Sequence, residues 1–364
     1  MPKAASDTRF VHCTGFQALL SIALAATAIL WCLSASFTPS SPISEFQQDG
    51  SDLRLYRSIL ERVHSGENYY DVAGQELRKQ GYPSGSLFNW RMPVYAWLIG
   101  KLPSIVWGQV VATLCAGIAI LLAYGVVENE CGRWQAAIVT LLLTGAFLWC
   151  LDGDAYLAQE LWSGIFVLIS VLAYARGWWV GGVVLGVLAL LFRELALPYC
   201  AIAIGLAVWK GRRKEIALWG LGLAIYGFCL GYHALQVGSR VTSADRVPAS
   251  WIQFGGAAFV LATTQMNYYL FNSPRWVCSI YLGLSLLGLA SWKTETGLRL
   301  FLTASAYVAA FAIVGQPFNN YWGLMYAPLL PFGIVWAPAA MRDLARSLAA
   351  SSIIPLGRTA STPQ

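Results

Sequence analysis

Long apolar stretches, each closed by a short polar or charged turn, recur along the whole chain, at 16–37, 104–127, 134–151, 157–174, 178–192, 195–209, 216–235, 276–292, 298–314 and 322–340. A span of a bilayer core about 30 Å thick needs about 20 such residues as helix. In lipid only a helix or a closed barrel satisfies its own backbone. The pattern therefore predicts an all-α polytopic membrane protein with ten transmembrane helices, the shorter runs having loose boundaries. Trp134, Trp149, Trp178, Trp179, Trp209, Trp276 and Trp292 stand at run ends, where interfacial aromatics belong.

Three segments break the pattern. Residues 252–270 contain Thr263, Thr264, Gln265 and Asn267, so 251–271 is expected to be re-entrant or interfacial. Residues 93–102 are too short to span and end in a Lys and a Pro, which predicts a dip at the interface. The loop from 38 to 91 is too long for a connector. Within it Leu53, Tyr56, Leu60 and Val63 form a stripe at helical spacing, with Arg54, Arg57, Glu61 and Arg62 off the stripe. Gly66 closes that helix, and a second helix is expected from Tyr70 to Gln80, before Gly81. Both are expected to lie on the membrane surface.

Composition agrees: 57% of residues are hydrophobic and 12% charged, against about 25% charged in soluble domains. The net charge of +6 sits in short clusters between runs, which points to membrane topology and not to nucleic acid. Of the eight cysteines, Cys32, Cys115, Cys150, Cys200, Cys229 and Cys278 lie in or beside apolar runs and no C-x-x-C occurs. They are expected to be packing residues. The first run follows Lys3 and Arg9 and has the length of a span, so it is expected to be an uncleaved signal anchor, with cleavage near Ser34-Ala35-Ser36 as the alternative.

Orientation follows from the basic residues. The cluster Lys210-Gly211-Arg212-Arg213-Lys214 belongs on the cytoplasmic side. Alternation then places there the N-terminus, the 128–133 turn, Arg176, the 293–299 turn and a tail (343–364), beyond a single membrane domain spanning 1–342. The chain is expected in the plasma (inner) membrane with both termini cytoplasmic. Twelve of the eighteen acidic residues fall on the other, extracytoplasmic face: those from Glu45 to Glu76, with Asp152, Asp154, Glu160, Glu194 and Asp245.

Three acidic or basic constellations on that face are candidates for chemistry. Asp49-Gly50-Ser51-Asp52 opens the stripe helix. A carboxylate there is placed to take a proton from a hydroxyl or to hold a divalent cation, although Asp before Gly also makes an ordinary turn. Asp152-Gly153-Asp154, with Glu160, forms a second acidic position, or a hydrated turn. Arg193-Glu194 lies between two short runs, either as a phosphate clamp or as a locally neutralised pair. Arg91, Arg240, Arg246 and Arg275 are further outer cations for phosphate or headgroups. His233 reads as a packed, hydrogen-bonded residue. No Walker loop, nucleotide-binding glycine fingerprint or H-E-x-x-H occurs, so a nucleotide-sugar or ATP site has no support.

The first-loop segment SDLRLYRSILERVHSGENYY resembles that of family 87 mannosyltransferases and their relatives, through Asp52, Tyr56, Gly66 and Tyr69 or Tyr70. NWRMPVYAWL is similar to the basic-x-Pro-x-Tyr segment of lipid-A aminoarabinose transferases and protein mannosyltransferases, at Arg91, Pro93 and Tyr95. NNYWGLMYAPLLPFG is similar to their Tyr…Pro…Pro segment, at Tyr321, Pro328 and Pro331. The resemblance, to the GT-C superfamily of glycosyltransferases, covers residues 16–215 best. It implies a GT-C-like helical bundle whose large first extracytoplasmic loop bears interfacial helices that frame a cavity. It also implies inverting transfer of a hexose-type sugar, as in mannosyl transfer, from a polyprenyl-phosphate donor to a lipid or glycan acceptor of the cell envelope. By the same resemblance Asp52 is the catalytic residue and Asp49 the reserve. Asp152 or Asp154 takes the second acidic position, with Asp52 and Asp154 the candidate ligands of a divalent cation. Arg193 and Arg91 hold the donor phosphate. Two departures stand out: the first loop has no paired acidic residues, and no Arg precedes Tyr321 directly. The competing reading is a transporter or lipid flippase, which calls for broken helices and a central pathway. A cavity lined by Asp52, Asp154 and Arg193 favours the transferase.

Overall fold

Each apolar run is occupied by a helix in the computed structural model, which describes residues 8–36 and 52–352. In chain order the helices are α1 (Gly15–Ser36), α2 (Asp52–His64), α3 (Tyr69–Lys79), α4 (Pro93–Gly100), α5 (Trp107–Cys131), α6 (Arg133–Phe147), α7 (Gln159–Ala175), α8 (Trp179–Phe192), α9 (Leu197–Trp209), α10 (Arg213–Gly238), α11 (Gly256–Thr264), α12 (Tyr268–Phe271), α13 (Arg275–Ser291), α14 (Glu295–Ile313) and α15 (Leu330–Ser352). Among the described residues there is no strand, only an isolated bridge between Ile252 and Val314.

Among the described residues, five helical segments are long and apolar enough to cross a membrane: Gly15–Ser36, Trp107–Cys131, Arg133–Cys150, Arg213–Gly238 and Glu295–Ile313. A sixth comes from the bent pair Pro317–Met325 and Ala327–Ser351 if it counts as one span. Less than half of each of the five is buried (11–44%), with Phe228 78%, Leu235 75% and Leu121 72% exposed. Such a surface has no favourable solvent but lipid, and the chain is a membrane-embedded helical protein. At the centre stands α7, buried from Gln159 to Ala173, as an all-round apolar helix should be. Elsewhere in the bundle α13 and α15 touch backbone to backbone. A Cβ at Gly288 would strike the carbonyl of Gly333, and one at Gly333 would strike that of Ser285, the small-residue contact typical of membrane helices.

The first-loop helices form as the stripe predicts, but they are packed into protein. Leu53, Tyr56 and Leu60 are buried, and so are Leu55 and Ile59, because α2 is covered by α3 and α4. Gly66 ends α2 at φ 97°, a conformation that favours glycine. The Asn68 side chain then caps α3 by accepting from the amide of Tyr70 at 2.9 Å. Pro93 sits in the first turn of α4, where a missing N–H costs nothing. The 252–270 segment holds α11 and α12; α11 has nine residues, a rise of only about 14 Å.

Two boundaries differ from expectation. The last run is broken: the 3-10 helix Pro317–Met325 meets the segment that follows at 42°. Beyond 340 the chain remains helical to Ser352. Asp343, placed in a tail by hydropathy, is buried and accepts from the Thr8 amide (3.1 Å) and hydroxyl (2.9 Å). A charged residue lowers hydropathy without ending a helix whose carboxylate has partners.

The bundle has two distinct ends. The turns after α5, α7, α9 and α13 meet at one of them. There Trp292 donates to Glu130, Arg212 to Glu295 at 2.8 Å, and Arg9 to the Thr294 carbonyl at 3.1 Å. These are the turns that the basic-residue count grouped on one side. The other end carries α2–α4, the turns at 150–158 and 193–196, the 239–255 segment and Pro317–Met325. All eight cysteines are unpaired.

Candidate functional site

At the α2–α4 end a cavity of about 350 Å³ opens between the first-loop helices, residues 248–251 and the 3-10 helix. Its wall includes Asp52, Tyr56, Tyr82, Arg91, Trp251 and Asn319. Asp52 and Tyr56 are one helical turn apart and so share the face of α2 that looks into it. The hydroxyl of Tyr321 donates to Asp52 Oδ2. Burial together with the Asp52 charge raises the pKa of the Tyr82 phenol, so it stays protonated at neutral pH.

Arg91 is held in an unusual conformation. Pro93 confines Met92 to extended backbone (ψ 135°), and Arg91 takes φ 59°. A non-glycine residue there is strained by about 1–3 kcal/mol and persists only where its surroundings fix it. The Tyr69 hydroxyl fixes it by donating to the carbonyls of Trp90 and Arg91, the latter at 3.1 Å. The side chain is thereby turned into the cavity wall. Nη2 and Nε donate to the Tyr56 hydroxyl at 3.0 and 3.3 Å, and Nη1 to the Phe88 carbonyl at 3.2 Å. Burial disfavours the Arg91 charge, but neighbouring phenols and glutamates outweigh it and hold the pKa well above the usual guanidinium value.

Behind Arg91 lies a buried network of alternating charge. Arg91 Nη1 is 3.8 Å from Glu194 Oε1. Glu194 also accepts from Arg193 Nη1, and Arg193 Nε donates to Glu160 Oε1 at 2.6 Å. Arg193 and Glu160 are 1% and 0% exposed. The Trp322 ring lies 5.9 Å from the guanidinium of Arg193. Arg193 can sit there because α8 ends at Phe192 and the chain turns extended (φ −151°, ψ 121°) before a short 3-10 turn. Two arginines and two glutamates leave the network neutral, as a buried ionic cluster must be to survive.

Against expectation, the cavity does not unite Asp52, Asp154 and Arg193. Arg193 lies behind the wall, its guanidinium taken by two glutamates, which is the neutralised-pair alternative and not an open clamp. Asp154 is drawn to the other flank of α2 by Arg57, whose Nε donates to it at 2.6 Å. Arg57 follows Tyr56 and so points about 100° away from the Asp52–Tyr56 face. Asp152, in the same turn, is half-buried and does not line the cavity. Asp49 lies outside the described residues. No group of three His, Cys, Asp or Glu is placed to hold a metal among the described residues.

Arg240 and Arg246, together with Arg78, make structural contacts. Arg240 pairs with Asp71 at 2.8 Å, Arg246 donates to the Gly81 carbonyl, and Arg78 grips Asp245 through 2.7 and 2.8 Å hydrogen bonds. They strap the 240–250 segment onto α3, and its continuation forms a cavity wall. His233 is buried between the Tyr70 hydroxyl (3.3 Å) and the Leu87 carbonyl (3.4 Å). Sequence reasoning overlooked Tyr82, Asn319, Trp251 and Trp322. The one available signal was the polar-aromatic run Asn319-Asn320-Tyr321-Trp322 inside an apolar tract.

Compared with protein families, with curated proteins and with solved structures, the chain matches none.

Proposed function

We propose that the protein is a GT-C-type membrane glycosyltransferase, crossing the bilayer ten times with the α2–α4 end extracytoplasmic. It moves a hexose-type sugar from a polyprenyl-phosphate donor to a lipid or glycan acceptor. The observation that carries this reading is a cavity wall that holds both the Asp52 carboxylate and the guanidinium of Arg91, the latter fixed in a strained backbone. Asp52 accepts the proton of the acceptor hydroxyl as that oxygen attacks the anomeric carbon. The sugar–phosphate bond breaks on the opposite face and the configuration inverts. Tyr321, donating to Asp52, orients the base. Arg91 stabilises the phosphate that departs, a role suited to its planar fork. Arg193, Glu160 and Glu194 fix Arg91 and do not touch the donor.

A transport reading would draw on the break between Pro317–Met325 and the segment after it. That same break delivers Asn319 and Tyr321 to the cavity and to Asp52, so it has a reason without transport.

The test is a donor screen on the purified protein, comparing polyprenyl-phosphate sugars with nucleotide sugars. Transfer from the lipid donor alone, lost in Asp52→Ala, supports the reading. No transfer from any lipid donor, or full activity in both Asp52→Ala and Asp49→Ala at normal expression, refutes it.

A further inference from the structure

We infer that a second cavity, at the opposite end of the bundle, binds a zwitterionic phosphate ester carrying an ammonium group, either free or as a phospholipid headgroup. This site is independent of the Asp52 cavity and of its proposed reaction. The space is about 560 Å³, within the usual range of small-molecule sites of roughly 300–1,000 Å³. It lies where the turns after α7 and α9 meet the start of α14.

Two buried side chains of opposite charge line it with unused hydrogen-bonding capacity. Arg299 is 0% exposed. Its guanidinium lies 3.8 Å from the centre of the Tyr174 ring and Nη2 donates to Glu295 at 3.1 Å, yet Nε and Nη1 have no hydrogen-bond partner. Glu215 is also buried. Its polar neighbours are Arg212, with Nη1 3.5 Å from Oε2, and the Tyr174 phenol, but neither oxygen reaches full hydrogen-bond geometry. Each such orphan is costly. Orphaned donors and orphaned acceptors on one cavity wall call for an occupant that accepts from one and donates to the other.

The surrounding charge selects the class of occupant. Arg212, Lys214 and Arg299 line the cavity together with Glu130, Glu215 and Glu295, and Glu295 pairs with both Arg212 and Arg299, so the lining is balanced and favours a ligand without net charge. A bare anion would satisfy Arg299 but add repulsion beside Glu215, and a bare amine would do the reverse. A phosphate at Arg299 with an ammonium at Glu215 satisfies both, and Trp179 in the same wall offers the cation a ring face.

The experiment uses the full chain, purified in detergent without phosphate, with thermal unfolding and tryptophan fluorescence as readouts. The soluble probes are O-phosphoethanolamine, ethanolamine and inorganic phosphate; the lipid arm compares nanodiscs of phosphatidylethanolamine with phosphatidylglycerol. A saturable response is expected to O-phosphoethanolamine, to phosphatidylethanolamine, or to both. Ethanolamine and phosphate alone should bind at least about tenfold more weakly, and Arg299→Gln and Glu215→Gln should each lose about tenfold. A response to the soluble probe alone assigns a free metabolite, and one to the lipid alone assigns a headgroup. Absence of any response overturns the proposal, as does inorganic phosphate binding as well as O-phosphoethanolamine, or wild-type binding in both variants. If a variant does not fold, the wild-type probe series decides.

Discussion

At the α2–α4 end, Arg193 sits between Glu160 and Glu194, and Arg91 continues the chain to the cavity. At the other end, Arg299 lies equally deep, yet two of its nitrogens meet no acceptor and Glu215 completes no hydrogen bond. Both ends are built from arginine and glutamate; they differ in where the charge is satisfied. In the first, the Arg193 donors are taken up by glutamates, although Glu160 keeps one oxygen without a hydrogen bond, and the neutral cluster works as a rigid mount for Arg91 with Asp52 left facing the cavity. In the second, the capacity is open towards space. A buried arginine therefore does not announce a phosphate site by its depth; what distinguishes the two is whether its donors are already taken.

The sharpest way to break this comparison is at Arg193. Arg193→Met leaves the buried Glu160 without a counter-ion and Glu194 with Arg91 alone, which should cost about 3–5 kcal/mol of stability, read as a large fall in the unfolding temperature in detergent. Adding Glu160→Leu should recover part of the loss, because the two residues are coupled. An unchanged unfolding temperature in Arg193→Met would mean the network is not the mount described. Next in size is a control at the opposite end. Asp343→Ala strands the buried donors of Thr8 and should cost about 1–3 kcal/mol, with sugar transfer per folded molecule unchanged. A large drop in transfer would show that the two ends are coupled.

The smallest effect concerns the strap. Hydrogen bonds from Arg78, from Ser84 and from the Thr242 amide hold the Asp245 pKa below the usual carboxylate range. A carboxyl with a depressed folded pKa stabilises above its unfolded value, and that contribution fades as pH falls through the folded one. Protection of the 240–250 segment from proteolysis should therefore be flat from neutral pH down to about 5, and weaken only below about 4. Asp245→Asn should be weaker at neutral pH and lose this pH dependence.

Much of the fold was legible because it depends on local periodicity. The apolar runs, the Leu53–Leu60 stripe, and the glycines at 66 and 81 each act within a few residues. The grouping of the basic turns at one end was also legible, since alternation carries a single assignment along the chain. The site was legible only in part. Asp52 and Arg91 were found, but Arg57 claims Asp154 from 97 positions away and Tyr321 reaches Asp52 across 269. Arg193 meets Glu160 across 33, a pairing that depends on where α8 stops. No spacing rule encodes such contacts; they come from the packing of α7 against its neighbours. The strap was missed because Arg240 and Arg246 look like free cations until α3 is placed beside them.

The central claim, that the α2–α4 end is catalytic and Asp52 its base, is tested most directly by the turnover number of Asp52→Asn with a polyprenyl-phosphate sugar. Asn keeps the size of Asp, and its side-chain oxygen can still accept from the Tyr321 hydroxyl, so the variant should fold as wild type does. A fall in kcat of about 10²–10⁴-fold, with an unchanged unfolding temperature, is the predicted result. Wild-type kcat in the folded variant would contradict the account.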